Sequence, residues 1–237
     1  RDVRLDGAQT RVMDIRLRLA MEDTLRPALA SVVAIDNRHL EWRFEEPVTP
    51  ADADWLPRLR ILPAENGPAA FVLLASAPHP LNSQSVHSFT APQSPGSYRA
   101  VAADLFDLSG LPLDSLSREV EFIASTRTDT VRPRLARLLP ADSTRNVALN
   151  APVEATFSEL MRMDSSRTFL AVRDSAGVAV PGMRRWKNHF QFEFKPATGW
   201  NSRAKYTIDV LPDSVFDLSG LALLDTLQRR IFWTVNA

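Results

Sequence analysis

Apolar and polar positions alternate at a period of two through much of this chain, the signature of half-buried β-strands. "YTIDV" places Tyr206, Ile208 and Val210 on one side and Thr207 and Asp209 on the other. "HFQFEF" sets Phe190, Phe192 and Phe194 against His189, Gln191 and Glu193, so three rings are expected to enter one core together. "IFWTV" groups Ile231, Trp233 and Val235, which predicts a buried Trp233, and Trp42 in "LEWRF" is expected on a core strand as well. "TFLAV" and "VAV" predict two shorter strands in a hairpin that turns at Gly177. Near the start, "DIRLRLAM" alternates Ile15, Leu17 and Leu19 with Arg16 and Arg18, another strand pattern. Helical periodicity is poor. "TPADADWLPRL" predicts one helical turn at most, capped by Thr49 or Asp52 and limited by its two prolines.

The strands belong to a repeated unit. "FDLSGL" occurs at Phe106–Leu111 and again at Phe216–Leu221. The match extends outward, with Tyr98–Phe122 lying over Tyr206–Trp233. Upstream, "DTLRPALASV" (Asp23–Val32) matches "DTVRPRLARL" (Asp129–Leu138), and "LEWRFEEPV" (Leu40–Val48) lies over "VEATFSELM" (Val153–Met161). The expected organisation is therefore an N-terminal strand or partial preceding repeat over 1–22, one unit over 23–127 and a second over 128–237. About seven short strands in roughly 105 residues is the range of an immunoglobulin-like sandwich. The expected fold is all-β, two tandem sandwiches, cut from a longer array. The middle of the first unit, "LPRLRILPAENGPAAFVLLASAPHPLNSQSVHSF", is irregular, and only its ends follow the second.

The second unit resembles the bacterial Ig-like domains of the S-layer-protein type. The resemblance rests on the opening "DTVRPRLARLLPADSTRNVALNAPVEATFSELM", the Gly177 hairpin, "FEFKPATGWNSRAKYTIDV", the "VFDLSGLAL" turn and the closing "RRIFWTV", in that order. It implies a tandem segment of a secreted or lipid-anchored bacterial surface protein. Its partners would be other domains of the same chain, with adhesion to a surface glycan or protein through loops.

Composition removes several other functions. The 28 Lys and Arg balance the 28 Asp and Glu, so no basic surface is available for nucleic acid. The absence of cysteine excludes disulfides, thiolate metal sites and a Cys nucleophile. No apolar run is long enough to span a membrane as a helix. His39, His79, His87 and His189 lack close ligand spacing, and eight glycines form neither a G-x-S-x-G elbow nor a phosphate loop. Glu45 and Glu46 are neighbours on a strand, point to opposite faces, and read as a solvated strand end. No catalytic residue is expected.

The repeated hexapeptide reads first as structure. Asp107 and Asp217 are placed to bond forward to backbone amides, and Gly110 and Gly220 to supply a left-handed φ. Phe106 and Phe216 would tuck the loop onto the sandwich end, with Tyr98 and Tyr206 anchoring the corner through their hydroxyls. The alternative reading is calcium. Asp104, Asp107 and Ser109, with Asp213, Asp217 and Ser219, are hard oxygen donors grouped on one loop, and Asp129 at the junction is positioned to complete a site between units. Trp55, Trp186 and Trp200 fall in expected loops or strand ends, where an exposed indole can stack on a sugar or anchor a protein. They motivate a second function class, an accessory carbohydrate- or protein-binding module of a larger secreted enzyme.

Overall fold

The computed structural model describes residues 23–224 and 228–236. The strand expected over 1–22 lies outside these residues. The fold is all-β: two consecutive sandwiches, each closing over its own apolar interior. Seventeen strands are described, and helix is confined to two 3-10 turns, Leu56–Arg58 and Pro212–Ser214.

The first sandwich contains β1 (Leu29–Ala34), β2 (His39–Phe44), β3 (Val48–Pro50), β4 (Leu59–Pro63), β5 (Leu73–Pro78), β6 (Ser85–Thr90), β7 (Ser97–Ala102), β8 (Leu105–Asp107) and β9 (Glu119–Ile123). One sheet has the order β1-β2-β6-β5, the facing sheet is β4-β7-β9, and β3 pairs with β8. The irregular middle of this unit therefore supplies β4, β5 and β6. Trp42 is the largest fully buried side chain, and its indole Nε1 donates to Ser88 Oγ at 3.0 Å.

The second sandwich contains β10 (Leu135–Leu139), β11 (Thr144–Val147), β12 (Val153–Phe157), β13 (Leu170–Arg173), β14 (Gly182–Asn188), β15 (Gln191–Pro196), β16 (Lys205–Val210) and β17 (Gln228–Thr234). Its sheets are β10-β12-β15-β14 and β11-β17-β16-β13, with β11 parallel to β17. The opening segment of this unit thus splits between two sheets, β10 at the edge of one and β11 at the edge of the other. Tyr206, Ile208 and Val210 all face the core from β16.

Two expectations about faces are corrected. On β17 the buried residues are Phe232 and Thr234, whereas Trp233 is half-buried with the Arg145 guanidinium 4.6 Å from its ring centroid. "IFWTV" carries apolar residues on both faces, and contact of Phe232 with Tyr206 and Trp200 decides which turns inward. The three Phe rings also separate. Phe192 and Phe194 enter the second core, but Phe190 lies in the turn before β15 and packs against the first sandwich.

Close packing between β14 and β15 makes one glycine irreplaceable without cost. A Cβ at Gly182 would lie 2.5 Å from the Lys195 carbonyl oxygen and 2.6 Å from the Phe194 ring. Backbone and a buried ring cannot both yield, so Gly182→Ala is expected to destabilise by about 1–3 kcal/mol. A fall in the urea midpoint at unchanged slope would register this, and an unaltered midpoint would contradict the packing.

Candidate functional site

The repeat recurs in three dimensions. Val48 pairs with Asp107 in the first unit, and Met161 pairs with Asp217 at the matching position of the second. Phe106 bridges Pro112, and Phe216 bridges Ala222. In each loop the Asp backbone N–H donates to the carbonyl of the leucine four residues on, at 3.0 Å. Asp107 Oδ1 accepts from the amides of Ser109 (2.8 Å) and Leu111 (2.7 Å), and Asp217 Oδ1 from Leu221 (2.8 Å). Gly110 and Gly220 have φ of 88° and 93°, a region that L side chains resist. The tyrosine hydroxyls hold a different corner. Tyr98 donates to the Ser94 carbonyl, and Tyr206 accepts from the Asn201 amide, both upstream of their strands.

Asp104 and Asp213 do not join these loops in any carboxylate cluster among the described residues. Asp104 is exposed and pairs with Arg58 at 3.1 Å, and Asp213 is exposed in the second 3-10 turn. The calcium expectation for these two residues is corrected: their side chains point away to solvent. Different carboxylates converge on Asp107 and Asp217. Asp23, Glu46 and Asp107 form one trio, and Asp129, Glu159 and Asp217 form the other, each with its ligand atoms within 4.8 Å of one another. These are matched positions of the two units. Asp23 and Asp129 open the units with the same turn, Oδ1 accepting from the amide two residues ahead (Leu25 at 3.1 Å, Val131 at 3.0 Å).

The second trio lies where the sandwiches meet. The segment after β12 is laced to the repeated loop, with Leu218 N–H donating to Leu160 O and Arg162 N–H to Phe216 O, which places Glu159 beside Asp217. Across the junction stand Asp36 and His39, from the β1–β2 turn. Asp36 Oδ2 is 2.8 Å from His39 Nδ1, and Asp129 Oδ2 is 3.7 Å from the same nitrogen. Ile35, His87, Val131, Ser158 and Leu160 complete the lining of a cleft of about 210 Å³. Asp217 is fully buried and the Asp129 side chain is 5% exposed, yet Oδ2 of each has no hydrogen-bond partner. Asp107 Oδ2 in the first unit is in the same condition.

Charge crowding shows in the titration of these groups. Burial, followed by repulsion from Asp217, Asp129 and Asp36, pushes the Glu159 carboxyl up to about 8. Burial chiefly raises Asp217, and burial with Asp23 and Asp107 nearby raises Glu46. The sequence reading missed Glu46 and Glu159. The signal was available in the alignment of "RFEEPV" over "TFSELM", which superposes them just as it superposes Asp23 on Asp129 and Asp107 on Asp217.

The tryptophans form no binding platform. Trp55 and Trp200 are buried, and Trp200 Nε1 donates to the Ala151 carbonyl at 2.7 Å. Trp186 sits on β14 rather than in a loop, half-buried among Phe157, Phe169 and Phe192 with centroids 5.4–5.9 Å away. Strand pairing with β15 turned this indole toward the core, whereas Arg184, Arg185 and Lys187 suggested a wet surface when read along the chain.

The family model described as "Bacterial Ig-like domain" matches residues 129–234. No curated protein is similar in sequence. Among solved structures, domains 1–6 of surface layer protein SbsC are 13% identical over 86% of this chain and 34% of that one, with a TM-score of 0.38. The N-terminal part of the bacterial S-layer protein SbsC is 15% identical over 85% and 45%, with a TM-score of 0.36. An L,D-transpeptidase from Mycobacterium tuberculosis H37Rv is 19% identical over 43% and 40%, with a TM-score of 0.31. This chain spans less than half the length of each. Residues 129–234, a little under half of the chain, are thus similar in sequence to bacterial Ig-like domains.

Proposed function

We propose that this chain is a non-catalytic tandem Ig-like segment of a bacterial cell-surface or secreted protein, with units at 23–127 and 128–237, that holds neighbouring parts of its protein at a set spacing and angle. The observation that carries this is the apolar seat between the sandwiches. Leu160, Phe190 and Leu218 of the second pack on Ala75, Ala77 and Phe89 of the first. His79 and His87 close around Phe190, with ring centroids at 5.3 and 5.6 Å. Two domains joined only by a linker would move independently, and an apolar contact of this kind opposes that. The connecting segment is tied down as well, since Asn37 N–H donates to Arg127 O and Ser125 N–H to Gln93 Oε1. The spacing role also accords with the bacterial Ig-like match over residues 129–234. No helix among the described residues is long and apolar enough to cross a membrane. Accessory sugar binding loses its support with the burial of Trp200 and Trp55.

Small-angle X-ray scattering tests the spacing role. The whole chain is expected to scatter as one rigid particle, and Phe190→Asp to lengthen and broaden its distance distribution. Removing a fully buried ring forfeits about 1.5–3 kcal/mol of apolar burial. Identical, flexible profiles for both proteins would overturn the reading.

A further inference from the structure

We propose that the junction is a calcium site, in which Asp129, Glu159 and Asp217 coordinate one ion between the two sandwiches. This does not depend on the spacing role. Three observations point the same way. The carboxylate oxygens lie within 4.8 Å of one another, within the roughly 5 Å that two ligands of a single calcium ion span. In both Asp129 and Asp217 the Oδ1 is held by a backbone amide while the buried Oδ2 has no hydrogen-bond partner, His39 Nδ1 standing 3.7 Å from that of Asp129. A buried carboxylate oxygen without a donor is costly, and a cation held by the trio would offset that cost. The third observation is the repeat itself. Asp23, Glu46 and Asp107 reproduce the trio in the first unit, again with a buried, unpartnered Asp107 Oδ2.

The donor chemistry selects the ion. All three ligands are carboxylates, which suit hard cations and not zinc or copper. The Asp36–His39 pair adjoins the trio through Asp129, whose Oδ2 is 3.7 Å from His39 Nδ1, but Asp36 is taken up by that histidine and by the amides of Arg38 (2.7 Å) and His39 (2.9 Å). It shapes the wall and adds negative potential. The first-unit trio is more open, with Asp23 exposed and its Oδ2 accepting from Ser109 Oγ, so it is the weaker of the two.

The experiment is titration of the whole, chelator-stripped chain with calcium chloride, read by calorimetry and by melting temperature, with magnesium chloride as comparison. The expected result is a saturable calcium site and a raised Tm. Glu159→Gln keeps the shape of the side chain and should weaken that site by at least the roughly 10–100-fold associated with loss of a supporting group in metal sites. Glu46→Gln should leave it intact, and far-UV circular dichroism confirms that both variants fold. Absence of saturable heat and of any Tm change, equal binding by Glu159→Gln and the parent, or magnesium binding as tightly as calcium would each overturn the assignment.

Discussion

Trp42→Ala is expected to destabilise the first sandwich by about 3–5 kcal/mol, among the largest effects of any single truncation in this chain. Trp42 has no exposed surface, sits on β2 in the middle of its sheet, and packs within the first core. Truncation opens a cavity that Leu40 and Phe44 cannot fill, because they are held in register by pairing with β1. It also removes the indole N–H donor from Ser88 Oγ, which lies 2.8 Å from Ser76 Oγ. Two-state treatment does not extend safely over two sandwiches, so peptide-resolved hydrogen exchange is the appropriate reading. Protection should collapse over 29–123 and persist over 135–234, because the two cores are separate clusters. Trp233→Ala is the contrast. Its ring is half-exposed beneath Arg145, and its loss should cost about 1 kcal/mol or less. Equal losses at the two positions would refute the face assignment of β17 and the depth of Trp42.

Stability of the chelated protein is expected to fall as pH rises from 6.5 to 8. Glu159 titrates at about 8 in the folded state against 4.5 as its ordinary value. Between these, the native state holds a proton that the unfolded chain has released, so stability falls as pH rises. His87 is shifted the other way, from 6.5 down to about 4 by burial and then by His79. Between 4 and 6.5 the unfolded chain binds the proton, so stability falls as pH drops. The two effects oppose each other below 6.5, whereas from 6.5 to 8 Glu159 acts without that opposition. One proton held across the 1.5 pH units of this window would be at most about 2 kcal/mol. Partial solvent access to Glu159 reduces this to about 1 kcal/mol. Urea midpoints at pH 6.5, 7.2 and 8.0 measure it, and Glu159→Gln should flatten the slope. A parent protein whose stability rises over this window, or a Gln variant with the same slope, would contradict the buried carboxyl.

Much of the architecture is readable along the chain because backbone and side-chain periodicities are local. Tyr206, Ile208 and Val210 alternate with polar residues, so only one face of β16 can be buried, and the sequence suffices to say which. The double occurrence of "FDLSGL" specifies its own loop, since an Asp acceptor and a glycine with left-handed φ act within five residues. The same logic fails wherever both faces of a strand are apolar. In "IFWTV" either Phe232 or Trp233 satisfies the pattern, and the facing sheet makes the choice. Trp186, flanked by basic residues, looked like a surface ring until β14 paired with β15.

The amino-acid sequence by itself determined that this protein is built twice from one β-sandwich template, because alternation and turn chemistry act over a few residues and recur at matched positions. Only the tertiary structure decided where Phe190 goes and which carboxylates meet. An interface between units appears as ordinary surface to each unit alone, and Asp129, Glu159 and Asp217 become neighbours only when three distant segments fold against one another.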